Sequence, residues 1–455
     1  MTKKSITIVA VIILLFSNLS ASKAEQKIEL KFWFPYSGDS AKPLTDAIKR
    51  FESKHPNIVI KPSPNLTIEK TLAAINSKKG PDLSMDLGLD NINRFCESKT
   101  WMNLKPYLQS KNGFDINKIF VAPVAKQFSD NKMRCALPFM TDVYGLFSNT
   151  DILKESKVNS FPKTTSELYD VSKKVTRFST TGDITQAGYI PWTNYYAASW
   201  GGAIASYMFG AKWYDSNGKS AFANDSKWLE ALMWQYELIK NIYGNGSYQK
   251  GSKNLQKFVL SAGDEWGCTH DLQSGRTSLL IDGDWRVGSF CPPDAKQKIA
   301  NVNYSVSPIP ISSQKSQNYG FGIIGGPVIG ISNDTQHKSE AWLFLKFLTT
   351  DKQALLDSFA SWFSLPTTNE AVSYIEKNNI DAHWQSLISM LKNPSSTWRG
   401  VSPIGNQDQD IVNKVFVKLQ LGQISGSNAN IVKSKLQVEL NKAASEVDLA
   451  ISRSK

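Results

Sequence analysis

The chain has 455 residues, 52 Lys and Arg against 40 Asp and Glu, and a net charge of +12. That length holds two or three domains, each with its own core. The basic excess is scattered in pairs such as Lys78-Lys79 and Lys173-Lys174 among acids, so it forms solvated faces and excludes a nucleic-acid site.

Lys3 and Lys4 precede an apolar run from Ile6 to Phe16 and a small, mostly polar stretch ending in Ser22-Lys23-Ala24. This pattern predicts a cleavable signal peptide over residues 1–24, because the run is shorter than the roughly 20 residues that span a bilayer. The expected mature chain starts at Glu25 with a charge of about +9, since the leader carries three lysines and no acid. With no cysteine near the cut, a lipoprotein anchor is not expected. The product is expected to be exported, periplasmic or otherwise extracytoplasmic, and soluble.

Ile28, Leu30, Phe32 and Phe34 alternate with Glu29, Lys31 and Trp33, which predicts a half-buried strand. Leu44, Ala47, Ile48 and Phe51 then fall at helical spacing up to His55-Pro56, and Ile58-Val59-Ile60 reads as a second strand. A helix bearing Ile68, Leu72 and Ile75 leads through Lys79-Gly80-Pro81 into a third strand, Leu83 to Leu87. These units predict a parallel, doubly wound sheet with ligands beyond its strand ends. Alternation returns over Ala136 to Phe147, and the Thr164-x-x-Glu167 capping box opens a helix carrying Leu168, Val171 and Val175. The stretch from Tyr189 to Trp285 holds more than half of the thirteen tryptophans together with Gly turns. Helices are expected over Ser339 to Phe359 and Ser434 to Ile451. No repeat or low-complexity linker divides the chain, as expected where a chain crosses several times between lobes.

Catalytic signatures are sparse. Asp282 and Asp284 are candidate acids for a glycoside hydrolase, but two acids two residues apart on a turn read more simply as a solvated or hydrogen-bonded loop. The string Gly320-Phe321-Gly322-Ile323-Ile324-Gly325 has dinucleotide spacing, yet Val328 to Ile331 continues it as a strand where that motif needs a helix. Cys96, Cys135, Cys268 and Cys291 allow two disulfides in three connectivities, with the local pairs Cys96–Cys135 and Cys268–Cys291 preferred. No CxxC occurs, and His55, His270, His337 and His383 form no HxH or HxxxH pair, so no metal and no cofactor are expected.

A series of short segments carries a resemblance. Glu29 to Phe34 and Phe51-Glu52-Ser53-Lys54-His55-Pro56-Asn57-Ile58 are followed by Gly80-Pro81-Asp82-Leu83, by Leu137-Pro138 and by Gly145-Leu146-Phe147-Ser148-Asn149-Thr150-Asp151. Phe161-Pro162-Lys163-Thr164 with Glu167-Leu168 comes next, with Thr165 where the pattern has tryptophan. Gly275 to Trp285 matches the spacing of G-x-x-A-M-x-x-x-G-x-W, and Val306 to Pro310, Gly325-Gly326, Ala341 to Leu348 and Leu365-Pro366 complete the order. In this order they resemble the family 1 extracellular solute-binding proteins, the group that includes maltose-binding protein.

The resemblance implies an α/β, two-lobed periplasmic-binding-protein type II (Venus-flytrap) fold with multiple chain crossings at the hinge. The crossings are expected near residues 138–144, 324–328 and 365–368. One lobe would take residues 25–138 plus 328–365, and the other 139–324 plus 366–455. It further implies a monomer that captures a sugar or oligosaccharide between its lobes, does no catalysis, and delivers its cargo to the permease subunits of an ABC transporter. A pyranose needs a flat apolar platform and a rim of hydrogen-bonding groups. Trp285 is the implied platform, Asp86 and Asp142 the implied hydroxyl acceptors, and Trp192, Trp398, Arg399, Tyr36 and Gly326 further candidates. Ile324-Gly325-Gly326 and Arg399 are also similar to the glycerol-phosphate branch, so glycerol 3-phosphate or another phosphorylated polyol is the second ligand expectation.

Overall fold

Strand and helix alternate from the start of the computed structural model, which describes residues 27–129, 134–196, 201–288, 303–312, 319–378, 381–399 and 402–454. The expected leader at residues 1–24, and Cys291 with its expected pairing to Cys268, lie outside the described residues. The strands in chain order are β1 (Ile28–Trp33), β2 (Ile58–Ser63), β3 (Leu83–Asp86), β4 (Ala136–Pro138), β5 (Met140–Thr141), β6 (Val143–Asn149) and β7 (Arg177–Phe178). After these come β8 (Ile184–Tyr189), β9 (Thr277–Gly283), β10 (Tyr304–Ser307), β11 (Ile323–Ile324), β12 (Val328–Ile331) and β13 (Leu365–Pro366).

Two large sheets form, each with strands from distant parts of the chain. The first has the order β2-β1-β3-β12-β4 and the second β10-β6-β9-β8-β7, with β11 paired to β6. In β1, Leu30 and Phe32 are buried while Glu29 and Lys31 are exposed, the half-buried pattern that its alternation predicts. The helix Lys42–Lys54 buries Pro43, Leu44, Ala47, Ile48 and Phe51 on one face and returns the chain for β2, which pairs parallel to β1. The sheet is not parallel throughout, however. β12 enters from late in the chain, antiparallel to both β3 and β4, and the expectation of an all-parallel sheet is corrected there.

The late helical region closes the first sheet. The spacing predicts one helix over Ser339 to Phe359, but two form, Lys338–Thr350 and Lys352–Trp362. Asp351 breaks them, because its carboxylate accepts the Ala354 amide at 3.0 Å and caps the second helix. Phe344 of the first packs at 5.5 Å from Phe32 and 4.9 Å from Phe51, tying it to β1 and its helix. The disulfide Cys96–Cys135 joins the helix Ile92–Glu97 to the residue before β4.

In the second sheet, every residue of β6 and β9 is buried, the signature of central strands covered on both faces. The capping box forms as its sequence predicts: the Glu167 amide donates to Thr164 Oγ1 at 3.2 Å and the Thr164 amide to Glu167 Oε2 at 3.2 Å, opening the helix Thr165–Val175.

Three segments run side by side between the sheets. β5 pairs antiparallel with β13, placing Thr141 opposite Leu365. Next to them the Asp142 amide donates to Gly325 O at 3.2 Å and the Gly325 amide to Asp142 O at 3.0 Å. Gly326 has φ +115°, and a Cβ there would lie 2.6 Å from Met140 O, so only glycine lets these strands approach. Gly326 thus serves the crossing itself.

Candidate ligand-binding cleft

The crossings place strand ends from both sheets around one interlobe surface. From the first sheet come Tyr36, beyond β1, and Asp86 at the end of β3 with its following turn through Asp90. From the second come Asp284 and Trp285, immediately after β9, and Tyr144 near the start of β6. Asp142 lies in the first crossing, between β5 and β6.

Asp142 and Asp284 flank the crossing strand β13. The Leu365 amide donates to Asp284 Oδ2 at 2.9 Å, and the Ser364 hydroxyl hydrogen-bonds Asp142. Burial raises both carboxyl pKa values, Asp142 to about 7 and Asp284 well above its ordinary value, and the charge of Asp142 adds to the rise at Asp284. Asp284 is fully buried, and hydrogen bonds from the Leu365, Val143 and Trp285 backbone oppose the rise. Asp86 is likewise pushed up to about 7 by burial, against hydrogen bonds from the Gly88 and Leu87 backbone and Asn91, and its Oδ2 is buried without a partner. Unfilled buried acceptors of this kind demand donors.

Aromatic rings lie beside these acids. Tyr144 stands edge-on to Trp285, with centroids 5.3 Å apart at 89°, and 6.3 Å from Trp398. Trp285 is half-buried, folded back over its own strand end: a Cβ on Gly283 would lie 2.3 Å from the indole, so that glycine makes room for it. Tyr36 stacks on Trp362 with centroids 3.9 Å apart, and burial followed by the Asp142 charge raises its hydroxyl pKa.

At the other end, charge is compensated. Asp90 Oδ1 accepts from Trp398 Nε1 at 2.9 Å and from Arg399 Nε at 2.7 Å, a contact from the first sheet's loop to the second lobe. Arg399 Nη1 donates to Asp408 Oδ1 at 2.6 Å, and its guanidinium lies 4.5 Å from the Trp213 ring centroid. Burial acts to lower the Arg399 pKa, but Asp90 and Asp408 outweigh it and the net direction is upward. Trp398 and Arg399 also border a cavity of about 490 Å³ with Tyr207, Trp213, Tyr214 and Phe321.

The structure therefore brings Tyr36, Asp86, Asp142, Trp285, Gly326, Trp398 and Arg399 around the crossings, but not Trp192. That residue lines a cavity of only about 20 Å³ with Ile204, Met208 and Trp234, because the Pro191-Trp192 turn after β8 packs on the helix Gly202–Phe209. Asp282 and Asp284 are not on a solvated turn. Asp282 ends β9 in a buried ion pair with Arg286 at 2.6 Å, so the two acids do not flank an open bond. Sequence reasoning missed Asp90, Tyr144, Trp362 and the role of Asp284. Only Asp284 had a local signal, its place in the Gly283-Asp284-Trp285 segment. Among the described residues no cluster of three or more His, Cys, Asp or Glu is arranged to hold a metal, and no helix is long and apolar enough to cross a membrane.

Residues 36–355 match the bacterial extracellular solute-binding protein family. A maltooligosaccharide ABC transporter solute-binding lipoprotein of Streptococcus pneumoniae serotype 4 is 27% identical over 266 residues, 56% of this chain and 54% of that protein. The match thus spans about half the length of that relative. A maltotriose-binding protein of Pyrococcus abyssi is 24% identical over 331 residues, covering 71% of this chain and 62% of that one. Among solved structures, one with mannotriose bound superposes with a TM-score of 0.71 at 23% identity, covering 91% of this chain and all of the other. The sugar-binding protein MalE of Xanthomonas citri superposes with a TM-score of 0.68 at 19% identity, over 92% of this chain and 98% of that one. These superpositions establish the two-lobed fold.

Proposed function

This chain belongs to the bacterial extracellular solute-binding protein family, and from that we propose that it captures a sugar or oligosaccharide between its lobes and delivers it to the permease of an ABC transporter. The observation that carries the reading is the interlobe surface, where Asp142 and Asp284 lie beside Tyr144, and Tyr144 beside Trp285. Sugar hydroxyls hydrogen-bond the partly exposed carboxyls of Asp86 and Asp142, and a pyranose C–H face suits a half-buried indole.

In this reading residues 25–138 with 328–365 form one lobe and residues 139–324 with 366–455 the other. Ligand contacts to Asp86 on one side and Trp285 on the other draw the lobes together. The protein is exported, free in the extracytoplasmic space as a monomer, and a carrier without hydrolytic activity. The relatives named for maltooligosaccharides and maltotriose support the carbohydrate class.

A thermal-shift series with maltotriose, mannotriose and a galactooligosaccharide tests this. Stabilisation by RT ln(1 + [L]/Kd) with the sugar recovered intact is expected. Release of a shortened saccharide would overturn the carrier reading, and the absence of any shift would overturn the carbohydrate class.

A further inference from the structure

The two lobes touch beside the crossings through their own side chains. We propose that this contact, centred on Asp90 and Arg399, is an interlobe clasp that holds the lobes together on that flank in the ligand-free protein. The clasp acts in the empty protein, whatever solute the cleft takes.

Its two halves belong to different sheets. Asp90 lies in the turn after β3 of the first sheet, just before the helix Ile92–Glu97, which the Cys96–Cys135 disulfide fastens to the residue preceding β4. Trp398 and Arg399 follow Thr397, whose amide donates to Gly322 O at 3.2 Å and whose carbonyl accepts the Ile324 amide at 3.2 Å. They are therefore carried by β11 and, through its pairing with β6, by the second sheet. A Cβ on Gly325 would lie 3.3 Å from the Trp398 ring, so the clasp begins against a crossing.

From there it runs outward. Asp90 Oδ1 takes two donors from across the lobes, Trp398 Nε1 at 2.9 Å and Arg399 Nε at 2.7 Å. The rest of the guanidinium is fixed on its own side, by Asp408 Oδ1 at 2.6 Å and Gly405 O at 3.3 Å. Gly405 has φ +64°, and a Cβ there would lie 2.7 Å from Arg94 Cδ and 3.2 Å from Asn91 Oδ1, so its loop packs on the helix behind Asp90 with no room for a side chain. The Arg399 side chain is 1% exposed and that of Asp90 14%. An ion pair in open solvent would be screened and weak, but this one is shielded and its hydrogen bonds are charge-assisted. A rotation that parts the lobes on this flank has to break both hydrogen bonds to Asp90 and draw Gly405 off Arg94. The lobes thus resist opening there without any ligand.

The test is small-angle X-ray scattering of the full protein, unfolded in guanidinium and refolded without reductant to strip any copurified ligand. Wild type is expected to show the radius of gyration of the structure described above. Asp90→Ala removes the acceptor and leaves Arg399 its partner Asp408, so the fold should survive, as a denaturant melt would show, while the radius of gyration rises. Should Asp90→Ala not fold, Asp90→Ser, whose hydroxyl is too short to reach the guanidinium, carries the same comparison. Equal radii for wild type and the folded variant overturn the clasp. So does a wild type already expanded relative to the structure. No sugar enters the measurement, so its failure leaves the carbohydrate reading untouched.

Discussion

The interlobe surface treats charge in opposite ways at its two ends. Around Arg399, each carboxylate meets the guanidinium: Asp90 at 2.7 Å and Asp408 at 2.6 Å, with Tyr214 also donating to Asp408. Around β13, Asp142 and Asp284 face one another, and burial has raised both pKa values instead of a cation lowering them. The Arg399 end is a finished structural element. At the β13 end no cation among the described residues pairs with Asp142 or Asp284, and only neutral groups hydrogen-bond them.

If that contrast is right, removing charge has unequal consequences at the two ends. Arg399→Met leaves Asp90 and Asp408 without their cation, and loss of one partner from a buried pair costs about 3–5 kcal/mol. The expected result is an unfolding free energy lowered by that amount, with a lower denaturant midpoint, largely restored when Asp90→Asn and Asp408→Asn are added. A midpoint at the wild-type value would mean that the Arg399 end is not a closed unit, and the comparison would break there.

At the β13 end the larger effect is on binding. Trp285→Ala removes the half-buried platform above Gly283, and affinity for a neutral trisaccharide should fall roughly ten- to hundredfold, or about 1.4–2.7 kcal/mol. The fold should survive, because Trp285 is not sealed in the core as Tyr144 is. Calorimetry beside a denaturant melt separates lost affinity from lost stability. A well-folded variant with unchanged Kd would move the platform elsewhere, with Trp398 the next candidate.

How much of this was legible in the sequence depended on distance along the chain. The β1–helix–β2 unit could be read because its periods are local: two for Ile28 to Phe34 and helical for Leu44 to Phe51. The antiparallel entry of β12 could not, since pairing Ile329 with Met85 depends on contacts across more than two hundred residues. The break at Asp351 was in principle readable, for the acid sits three residues before the amide it caps, but the apolar pattern runs across it. In the site, Trp285 stood out through a short motif and Asp142 through its place beside the expected first crossing. Asp90 did not, because its role comes from Trp398 and Arg399, some three hundred residues away. The surroundings of Trp192 were not legible either: after a strand and a proline it lies, partly exposed, beside the helix Gly202–Phe209, which comes later in the chain.

The smallest effect, and the one that most directly reads the β13 end and its neighbour Asp86, is a pH dependence of the ligand-free protein. Asp86 and Asp142 each titrate at about 7 when folded, against about 3.9 for an unfolded aspartate. Between those values the folded state holds more protons than the unfolded one, so their contribution to stability is complete below about pH 4 and is lost as pH rises through 7. Asp86 faces Asp90, Asn91 and the Leu87 and Gly88 amides, while Asp142 faces Asp284, Ser364, Tyr36 and Tyr144; no cation among these groups opposes the shift. His270 works in the other direction, since burial lowers its pKa to about 2 and stability is lost as pH falls below the ordinary histidine range. The comparison must therefore be between wild type and variant. Going from pH 6 to pH 8, wild type should lose on the order of 1 kcal/mol relative to Asp86→Asn, and a similar amount relative to Asp142→Asn. Denaturant unfolding at both pH values measures it. Parallel pH profiles for wild type and both variants would show that these carboxyls are already ionised in the empty cleft, and the contrast between its two ends would reduce to shape alone.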